Sequence, residues 1–445
     1  MQDKKIIIEK LLFLYDEELN KYIKQLHPID VIEAFDNCKI DIKISLLSRI
    51  SNESIARLLD YTDDKLRLNL LNLVDKERHK DILNHMLSNE LVDFIENIED
   101  LQIQEHYRQL IDQDNIDINK MLSYKEDTAG SLMATEFINV YESNTVLDTY
   151  KFLQETLEDN DMPYYLYITD KKNKLLGFIA LRDLVSSKFD TLIKDITNYN
   201  VNYVTTETDQ EEVAHIFDKY DYMMLPVVDE HQILLGVISV DDIIEVVKEE
   251  TTEDMHKLAG LDKDERVDGS IFESLKSRLP WLLVNLFTAS LSALVISYYS
   301  DTISSLVLLA AINPIISAIG GNVGNQSMIL IVRSLALKQI SNRNAIKIFI
   351  KEISVGLIVG LFIGLILGLI VTIYSNNYYF GLITALAILI NLSIASTLGF
   401  IVPVTLSKIK VDPAIASSIF VTSITDILGF LIYLSLATMT LQLII

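Results

Sequence analysis

The distribution of apolar positions divides the chain into two unlike parts. In residues 1–124, short amphipathic segments restart every 11–13 residues, as in "NESIARLLDYT" and "DDKLRLNLLNLV". This spacing predicts a right-handed stack of short helices, a small solenoid. After Leu279 the chain is apolar over stretches of ~20 residues, the length that crosses a bilayer. We predict five spans, at 281–299, 301–333, 353–374, 380–407 and 413–443.

An internal duplication lies between these parts. The segment 165–185, "YLYITDKKNKLLGFIALRDLV", aligns with 224–244, "MLPVVDEHQILLGVISVDDII", at a constant offset of 59 residues. Each copy has the pattern of a strand, a turn, a strand and a helix, and a helical segment precedes it, at 146–155 and 210–220. We therefore expect two α/β domains of the same fold.

The two parts also differ in charge. Of the 62 acidic and 38 basic residues, only four acidic and seven basic ones follow Leu279, which leaves residues 1–278 with a net charge of −27. This acidity argues against nucleic acid as a partner, because phosphates are bound by Lys and Arg, and it favours cations. Cys38 is the one cysteine, so we expect no disulfide within the chain. The sequence contains no GxSxG, P-loop or zinc-ligand pattern, so we do not expect an enzyme.

Positive charge in the short loops orients the spans. Lys276 and Arg278 precede the first span, five basic residues separate the second from the third, and Lys408 and Lys410 separate the fourth from the fifth. The other two loops contain no Lys or Arg. The positive-inside rule therefore predicts a cytoplasmic N-terminal part and an extracytoplasmic C-terminus in the inner or plasma membrane.

The second span combines helix-breaking residues with amides. "INPIISAIGGNVGNQSMIL" contains Pro314 and three glycines at membrane depth, and non-helical backbone there must line a cavity or be buried in protein. We interpret it as a broken helix beside a pore, and the alternative is a proline-kinked helix whose glycines serve packing. The predicted pore-lining residues are Gly321, Asn322, Gly324 and Asn325.

The fifth span contains a single carboxylate, Asp426, between Pro413 and the last residue. A charge near the bilayer midplane is costly unless it meets water, a partner or a cation, so Asp426 either binds an ion or is a structural group bonded to Ser and Thr neighbours. Asp412-Pro413 is typical of a helix start. On one continuous helix Asp412 and Asp426 would lie ~21 Å apart on nearly the same face, as two stations on a cation path.

The third span carries glycines at every fourth position, a spacing that predicts close approach to a second helix, within or between subunits. A lipid-facing accident is the alternative. These glycines are Gly356, Gly360, Gly364 and Gly368.

The order of these parts and four motifs resemble the MgtE magnesium transporter/channel family over nearly the whole chain. The motifs are "YKEDTAGSLM" (124–133), "TEDMHKLAG" (252–260), "GGNVGNQS" (320–327) and "VDPAIAS…TDILGFLIY" (411–433). The resemblance implies a homodimer with one pore at the subunit interface, in which Asp426 holds hydrated Mg²⁺ and Asp412 lies near the cytosolic mouth. One departure is Ser418-Ile419, where the family commonly has Asn-Pro or Gly-Pro.

The resemblance also implies regulatory Mg²⁺ sites on acidic cytosolic surfaces, which would close the pore when they are occupied. In the helix after the repeat the candidate ligands are Asp242, Glu245, Glu250, Glu253 and Asp254, and in the second repeat they are Asp209, Glu211, Asp218 and Asp221. The alternative is a solvated acidic face. The duplicated segments resemble CBS domains, many of which bind adenine nucleotides, and Ser239 and Asp242 are the candidates for ATP. A pair that only dimerises is the alternative.

We therefore expect a multidomain membrane protein with an α-helical superhelical N domain, tandem α/β CBS domains, a long connecting (plug) helix and a five-helix transmembrane domain. The predicted boundaries are 1–130, 131–192, 193–248, 249–279 and 280–445. The partners are a second copy of the chain, the lipid bilayer and Mg²⁺. The rival functions are a carrier or channel for other hard divalent cations such as Mn²⁺ or Co²⁺, and a membrane-anchored CBS sensor that transports nothing.

Overall fold

The computed structural model describes residues 4–36, 38–98, 100–111, 116–156, 163–263, 265, 267, 269–341, 343–416 and 418–444. The chain forms two compact units, Met1–Val247 and Lys248–Ile445. The first unit contains the short helices and the duplicated domains. The second contains the helices long and apolar enough to cross a membrane.

The N-terminal helices confirm the predicted short repeat. From α1 to α8 each helix begins 12 residues after the one before it, at residues 4, 16, 28, 40, 52, 64, 76 and 88. Alternate helices stack, α1 on α3, α3 on α5 and α5 on α7, so that each buries one apolar face. The helices are α1 Lys4–Phe13, α2 Asp16–Gln25, α3 Pro28–Asp36, α4 Ile40–Leu47, α5 Asn52–Leu59, α6 Asp64–Leu71, α7 Lys76–Leu83, α8 Ser88–Glu96, α9 Leu101–Leu110 and α10 Ile116–Met121.

Each duplicated segment forms the same three-stranded sheet. In both, the first strand is parallel to the second and the second is antiparallel to the third, and a register shift falls at equivalent positions, Ile168/Thr169 and Val227/Val228. The first copy comprises α11 Ala129–Leu132, β1 Asn139–Tyr141, α12 Val146–Thr156, β2 Tyr165–Thr169, β3 Leu175–Ala180, α13 Leu181–Ser186 and α14 Ile193–Ile196. The second comprises β4 Val204–Thr205, α15 Gln210–Tyr220, β5 Met224–Val228, β6 Leu234–Ser239 and α16 Val240–Ala259.

The turn between the last two strands is also duplicated. The Asp170 carboxylate accepts backbone N–H bonds from residues 172 and 174, and the Asp229 carboxylate accepts them from residues 231 and 233. The two turns then bond to each other, since the Leu175 N–H donates to the Gln232 carbonyl (2.9 Å) and the Leu234 N–H to the Asn173 carbonyl (2.9 Å). The two copies thus pair with an internal symmetry that matches the offset of 59 residues.

Five helices in the described part of the second unit have the length and hydropathy of membrane spans. They are α17 Ile271–Tyr298, α19 Leu308–Ala336, α20 Ala345–Ser375, α21 Tyr378–Lys408 and α22 Ser418–Met439, with short helices α18 Ser300–Ser305 and α23 Leu441–Ile444 and a 3-10 helix, Pro413–Ala416. The number of spans agrees with the prediction, but three of its details are wrong.

The first difference concerns the connecting helix. We predicted it over 249–279, but α16 begins at Val240 and ends at Ala259, and the first span begins at Ile271 rather than at residue 281. Gly260 ends α16 with φ +73°, a left-handed conformation that glycine adopts without a steric penalty. A capping box between Ser270 and Glu273 then starts α17.

The other two differences concern the second and fifth spans. The second is not broken: α19 is continuous through Gly320 and Gly324, with Pro314 in its second turn. The fifth span does not begin at Pro413, because a 3-10 helix precedes α22, which starts at Ser418. Asp412 and Asp426 are therefore not on one continuous α-helix, and the helical geometry predicted for the pair does not apply.

The glycine stripe of α20 has the packing role predicted for it. Gly356, Gly360, Gly364 and Gly368 are buried against α21, and a Cβ on Gly364 would lie 2.7 Å from the Ala385 carbonyl oxygen. A larger residue would force the two backbones apart. The contact is within one chain.

Candidate ion pathway and gate

The predicted pore-lining glycines lie where α19 meets α22. A Cβ on Gly321 would stand 3.1 Å from the Thr422 methyl group, and one on Gly324 would stand 2.8 Å from the Val421 side chain. Asn325 adds a polar contact, because its amide nitrogen donates to the Thr422 hydroxyl at 3.3 Å. The glycines therefore bring the helices together, and Asn322, between them, is exposed on the surface of the chain.

Asp426 lies in the middle of α22 and is oriented by α19. The Ser317 hydroxyl donates to Asp426 Oδ1 at 2.5 Å, and the aspartate is half-buried. A single neutral donor fixes the orientation of a carboxylate without neutralising its charge. The second oxygen thus keeps its capacity to accept bonds from water or from the hydration shell of a cation.

The C-terminal end of the connecting helix α16 packs on the same two helices. Leu258 packs against a cluster formed by Met328 and Val332 of α19 with Ala414 and Val421. The turn that ends α16 also touches the start of α22, since a Cβ on Gly260 would lie 2.7 Å from Ile419 Cδ1. Any displacement of this part of α16 therefore changes a contact of α19 and α22.

Charged groups surround that contact. Lys257 Nζ donates to Asp412 Oδ2 at 2.6 Å and forms an ion pair with Glu253, one turn earlier on α16. The other Asp412 oxygen caps the 3-10 helix by accepting the Ala414 N–H (2.8 Å). Burial lowers the pKa of Lys257, but its bonds to Asp412 and Glu253 outweigh this effect and raise it, so the ammonium group stays charged.

Asp254 is the third carboxylate of this group. Burial and the nearby Asp412 carboxylate raise the pKa of Asp254, while Lys257 and Arg333 oppose the rise. The structure thus brings together three of the predicted cation ligands, Glu253, Asp254 and Asp412, around Lys257. Glu250 is half-buried one turn before Asp254.

The acids predicted in the second repeat are not brought together within the chain. Asp209 caps the N-terminus of α15 by accepting the Glu211 N–H (3.0 Å), whereas Asp221 ends the helix with φ 52°. Asp218 is exposed in the last turn. The 11 residues of α15 span ~17 Å. Asp209 and Glu211 at its start therefore cannot share one ion with Asp218 and Asp221 at its end.

Asp242 is engaged within its own unit. Ser239 donates to Asp242 Oδ2 through its hydroxyl and its backbone N–H (3.1 Å), and the Asn89 amide of α8 donates to Oδ1 at 3.1 Å. Burial raises the pKa of Asp242 to about 6 despite the bonds from Ser239. Glu245, one turn later, lies within electrostatic range of both Asp242 and Asp93.

Four contributors were not predicted from the sequence: Ser317, Lys257, Asn89 and the buried Glu352. Their partners are 109, 155, 153 and 25 residues away along the chain. Lys257 lies inside the motif "TEDMHKLAG". A lysine this close to Glu253 and Asp254 in the sequence could have been predicted as an ion-pair partner. A lone serine or asparagine carries no such signal.

In the described part of the chain, no three His, Cys, Asp or Glu side chains are arranged so that they could hold a metal ion together. The donors that are present are carboxylates, hydroxyls and amides, the oxygen ligands that Mg²⁺ prefers. The chemistry of these groups therefore fits Mg²⁺, and each candidate site within one chain supplies part of a ligand set.

Comparison with known proteins agrees with these parts. Family models match the chain as "Divalent cation transporter" over residues 313–436, as "MgtE intracellular N domain" over 26–127 and as "CBS domain" over 129–189 and 193–249. The chain is 31% identical over 430 residues to the magnesium transporter MgtE of Thermus thermophilus, covering 95% of each protein, and 28% identical over 436 residues to that of Bacillus subtilis, covering 97% of each.

Among solved structures, the crystal structure of the soluble part of a magnesium transporter is similar, with 30% identity and a TM-score of 0.52, over 56% of this chain and 97% of that one. The chain therefore belongs to the MgtE family of magnesium transporters. The predicted family and fold class are confirmed, with a helical N domain, tandem CBS domains and five candidate membrane helices.

Proposed function

We propose that the protein is a homodimeric, Mg²⁺-selective channel that passes hydrated Mg²⁺ down its electrochemical gradient. The observation that carries the proposal is the Asp426 carboxylate in the middle of α22, held by Ser317 of α19. Mg²⁺ gives up its waters reluctantly. A carboxylate that keeps one accepting oxygen suits contact through those waters, and such contact is weak enough for release.

The incomplete ligand sets support the dimer. Each chain brings one carboxylate, Asp426, to mid-depth in the membrane, and two chains around one axis would bring two. Asn322 of α19 and the apolar face of α17 are exposed in the single chain, as surfaces that meet a second copy or lipid would be. Gly321, Gly324 and Asn325 then shape the pore indirectly, by setting the α19–α22 contact, rather than by lining it.

The charges near α16 support gating by cytosolic Mg²⁺. Ions bound among Glu250, Glu253, Asp254 and Asp412 would hold the end of α16 on α19 and α22, and their loss would let repulsion separate the parts. The acids of the second repeat would contribute further ligands across the dimer. These acids are Asp209, Glu211, Asp218 and Asp221, and Asp242 and Glu245 of α16 would join them.

Charge in the loops supports the orientation that we propose. Basic residues lie near the start of α17, between α19 and α20, and at the end of α21, and all of these positions are on one side of the spans. That side is cytoplasmic by the positive-inside rule. The CBS domains and the gate then face the cytosol in the cell membrane, and the C-terminus is outside.

Nucleotide binding at Ser239 and Asp242 stays a prediction. Asn89 and Ser239 engage both carboxylate oxygens of Asp242, so a ribose would have to displace the Asn89 amide. A titration of the full-length protein with ATP, in which Asn89→Ala raises the affinity and Asp242→Ala abolishes binding, would support this site.

The first prediction tests the pore. We expect Asp426→Ala to abolish Mg²⁺ flux into liposomes and Asp426→Asn to reduce it severely, because both remove the only carboxylate of α22. Asp301→Ala, which removes an exposed carboxylate of α18, is the matched control and should leave flux unchanged.

Three results would contradict the proposal. Wild-type flux in a folded Asp426→Ala dimer would remove Asp426 from the ion path. Equal flux of Mn²⁺ or Co²⁺ and Mg²⁺ would favour a general carrier for divalent cations. No Mg²⁺ flux in the wild-type protein, with Mg²⁺ varied on each side, would favour a sensor without transport.

A further inference from the structure

Asn391 of α21 is fully buried, with 0% of its surface exposed, inside a membrane-spanning segment. Its amide nitrogen donates to the Ile316 carbonyl of α19 at 3.1 Å. Among the groups that the structure describes, its amide oxygen has no hydrogen-bond partner. An unpaired buried oxygen reduces stability, and a leucine, which has the same number and branching of side-chain heavy atoms, would remove this unpaired group.

Two glycines form the slot that holds this side chain, one on each of the neighbouring helices. A Cβ on Gly320 of α19 would overlap the Asn391 amide nitrogen, and its three nearest atoms would all belong to Asn391. A Cβ on Gly429 of α22 would lie 3.1 Å from both the nitrogen and the oxygen of the same amide. Asn391 therefore touches both helices at once, at positions where they have no side chains.

The slot lies beside the Ser317–Asp426 pair. Ile316 directly precedes Ser317, and Gly320 follows it by about one turn of α19. On the other helix, Gly429 follows Asp426 by about one turn. The groups that contact Asn391 are thus the backbone neighbours of the two residues that form the hydrogen bond.

We propose that Asn391 is a positioning residue for transport: it sets the spacing and register of α19 and α22 at the depth of Asp426. This inference rests on the proposed function of Asp426. A hydrogen bond weakens steeply when its donor and acceptor move apart or tilt. A small slide of α19 against α22 therefore breaks the Ser317–Asp426 bond and releases the carboxylate from its orientation.

The first test replaces the amide by an apolar side chain with the same branching. In liposomes with the full-length protein, Asn391→Leu lowers Mg²⁺ flux at least about fivefold, while its unfolding temperature stays at or above the wild-type value. Thr405→Ala is the control on the same helix, and flux stays at the wild-type level. Among the described residues, the exposed Thr405 hydroxyl bonds within α21, to the Ile401 carbonyl. Asp426→Ala is measured in the same preparation.

The second test probes the pathway from Asn391 to the pair. If Asn391 acts through the Ser317–Asp426 bond, Ser317→Ala lowers flux in the wild-type background and has little further effect in the Asn391→Leu background. A residue with only a structural role gives additive losses, and additivity overturns the inference.

A third variant remains informative if Asn391→Leu does not fold. Gly320→Ala places a methyl group in the space of the amide and lowers flux, and adding Asn391→Ala to it restores part of the flux. No restoration overturns the inference. Wild-type flux in Asn391→Leu beside an inactive Asp426→Ala overturns the inference alone, whereas an active Asp426→Ala overturns the proposed function.

Discussion

The two units of this chain stabilise buried carboxylates in different ways. Within the membrane-spanning helices, two carboxylates accept from a neutral hydroxyl of another helix: Asp426 from Ser317 (2.5 Å), and Glu352 from Ser327 (2.8 Å), with Lys351 as a further, charged partner of Glu352 (3.2 Å). In the 1–247 unit the acids lie near one another. Burial and the neighbouring Glu126 raise the pKa of Glu96 to about 7.

This difference indicates what each unit responds to. A carboxylate that is bonded to one fixed hydroxyl keeps its direction, which suits a permanent binding position on an ion path. Crowded carboxylates repel one another, and their protonation and compaction depend on the cations that are available. The membrane-spanning helices therefore supply fixed geometry, and crowded acids supply sensitivity to cations.

The largest effect should come from the buried cation of the acidic unit. Arg67 is 2% exposed, and its guanidinium donates to the carbonyls of Leu59 (3.0 Å) and Thr62 (2.9 Å) and to the Glu90 carboxylate (2.7 Å). Arg67→Met leaves the buried Glu90 carboxyl and the two backbone carbonyls without this donor. We expect the free energy of unfolding of the N domain to fall by ~3–5 kcal/mol.

Hydrogen exchange of the amides in α6 and α8 measures this loss. Arg57→Met is the matched control, since the Arg57 guanidinium makes a single bond, to the exposed Lys24 carbonyl, among those that the structure gives for it, and we expect a change within ~0.5 kcal/mol. Equal exchange in the two variants would contradict a buried charge held by a defined set of partners. The acidic unit would then not contain a fixed ionic core beside its responsive acids.

The next effect concerns the gate. Replacing Glu250, Glu253 and Asp254 by their amides should leave Mg²⁺ flux active. The cytosolic Mg²⁺ concentration for half-closure should rise by about tenfold or more, the factor that a loss of ~1.4 kcal/mol in binding produces. Flux through liposomes with Mg²⁺ varied on the cytosolic side measures the shift.

A matched trio of exposed acids in the N domain controls for net charge. Amides at Glu17, Glu18 and Glu77 change the charge equally, and they should not move the half-closing concentration. If the gate trio behaves like the control trio, these acids are only a solvated face. The response to Mg²⁺ would then have to come from acids of the 1–247 unit.

Much of this architecture could be predicted from local patterns. The 12-residue helical repeat, the offset of 59 between the copies and the glycine stripe of α20 are periodic in sequence, and the structure shows each of them. The continuity of α19 could not be predicted, because Pro314 and the glycines favour a break locally, while packing against α21 and α22 fills their surfaces.

The partners in the candidate site were less predictable. Asp426 can be recognised in the sequence as a lone charge in an apolar segment. Nothing in the local sequence distinguishes Ser317, its partner, from other serines. Lys257 and Asp412 are in contact although they are 155 residues apart in the chain. Contacts of this kind follow from how helices pack, and no local pattern encodes them. The start of α22 at Ser418 likewise depends on the 3-10 helix before it, although Asp412-Pro413 is a normal helix start.

The smallest predicted effect is a pH dependence of stability in the acidic unit. The folded-state pKa values of Glu96 (about 7) and Asp242 (about 6) are above the values of ~4 in an unfolded chain, so the folded unit binds more protons over this range. Stability is therefore highest at low pH within the window and falls as pH rises through about 6 to 7. We expect the acidic unit to unfold about 2 °C higher at pH 6 than at pH 8.

Mg²⁺ should oppose this loss, because a divalent cation among carboxylates replaces the protons that leave them. Millimolar Mg²⁺ should thus stabilise the acidic unit more at pH 8 than at pH 6, and Glu96→Gln should reduce the pH dependence. Amide exchange in α20 and α21 serves as the internal control, since the glycine contacts between them carry no charge. A rise in the stability of the acidic unit from pH 6 to pH 8 without Mg²⁺ would have the wrong sign, and the crowded acids would then be stabilised as individual ion pairs.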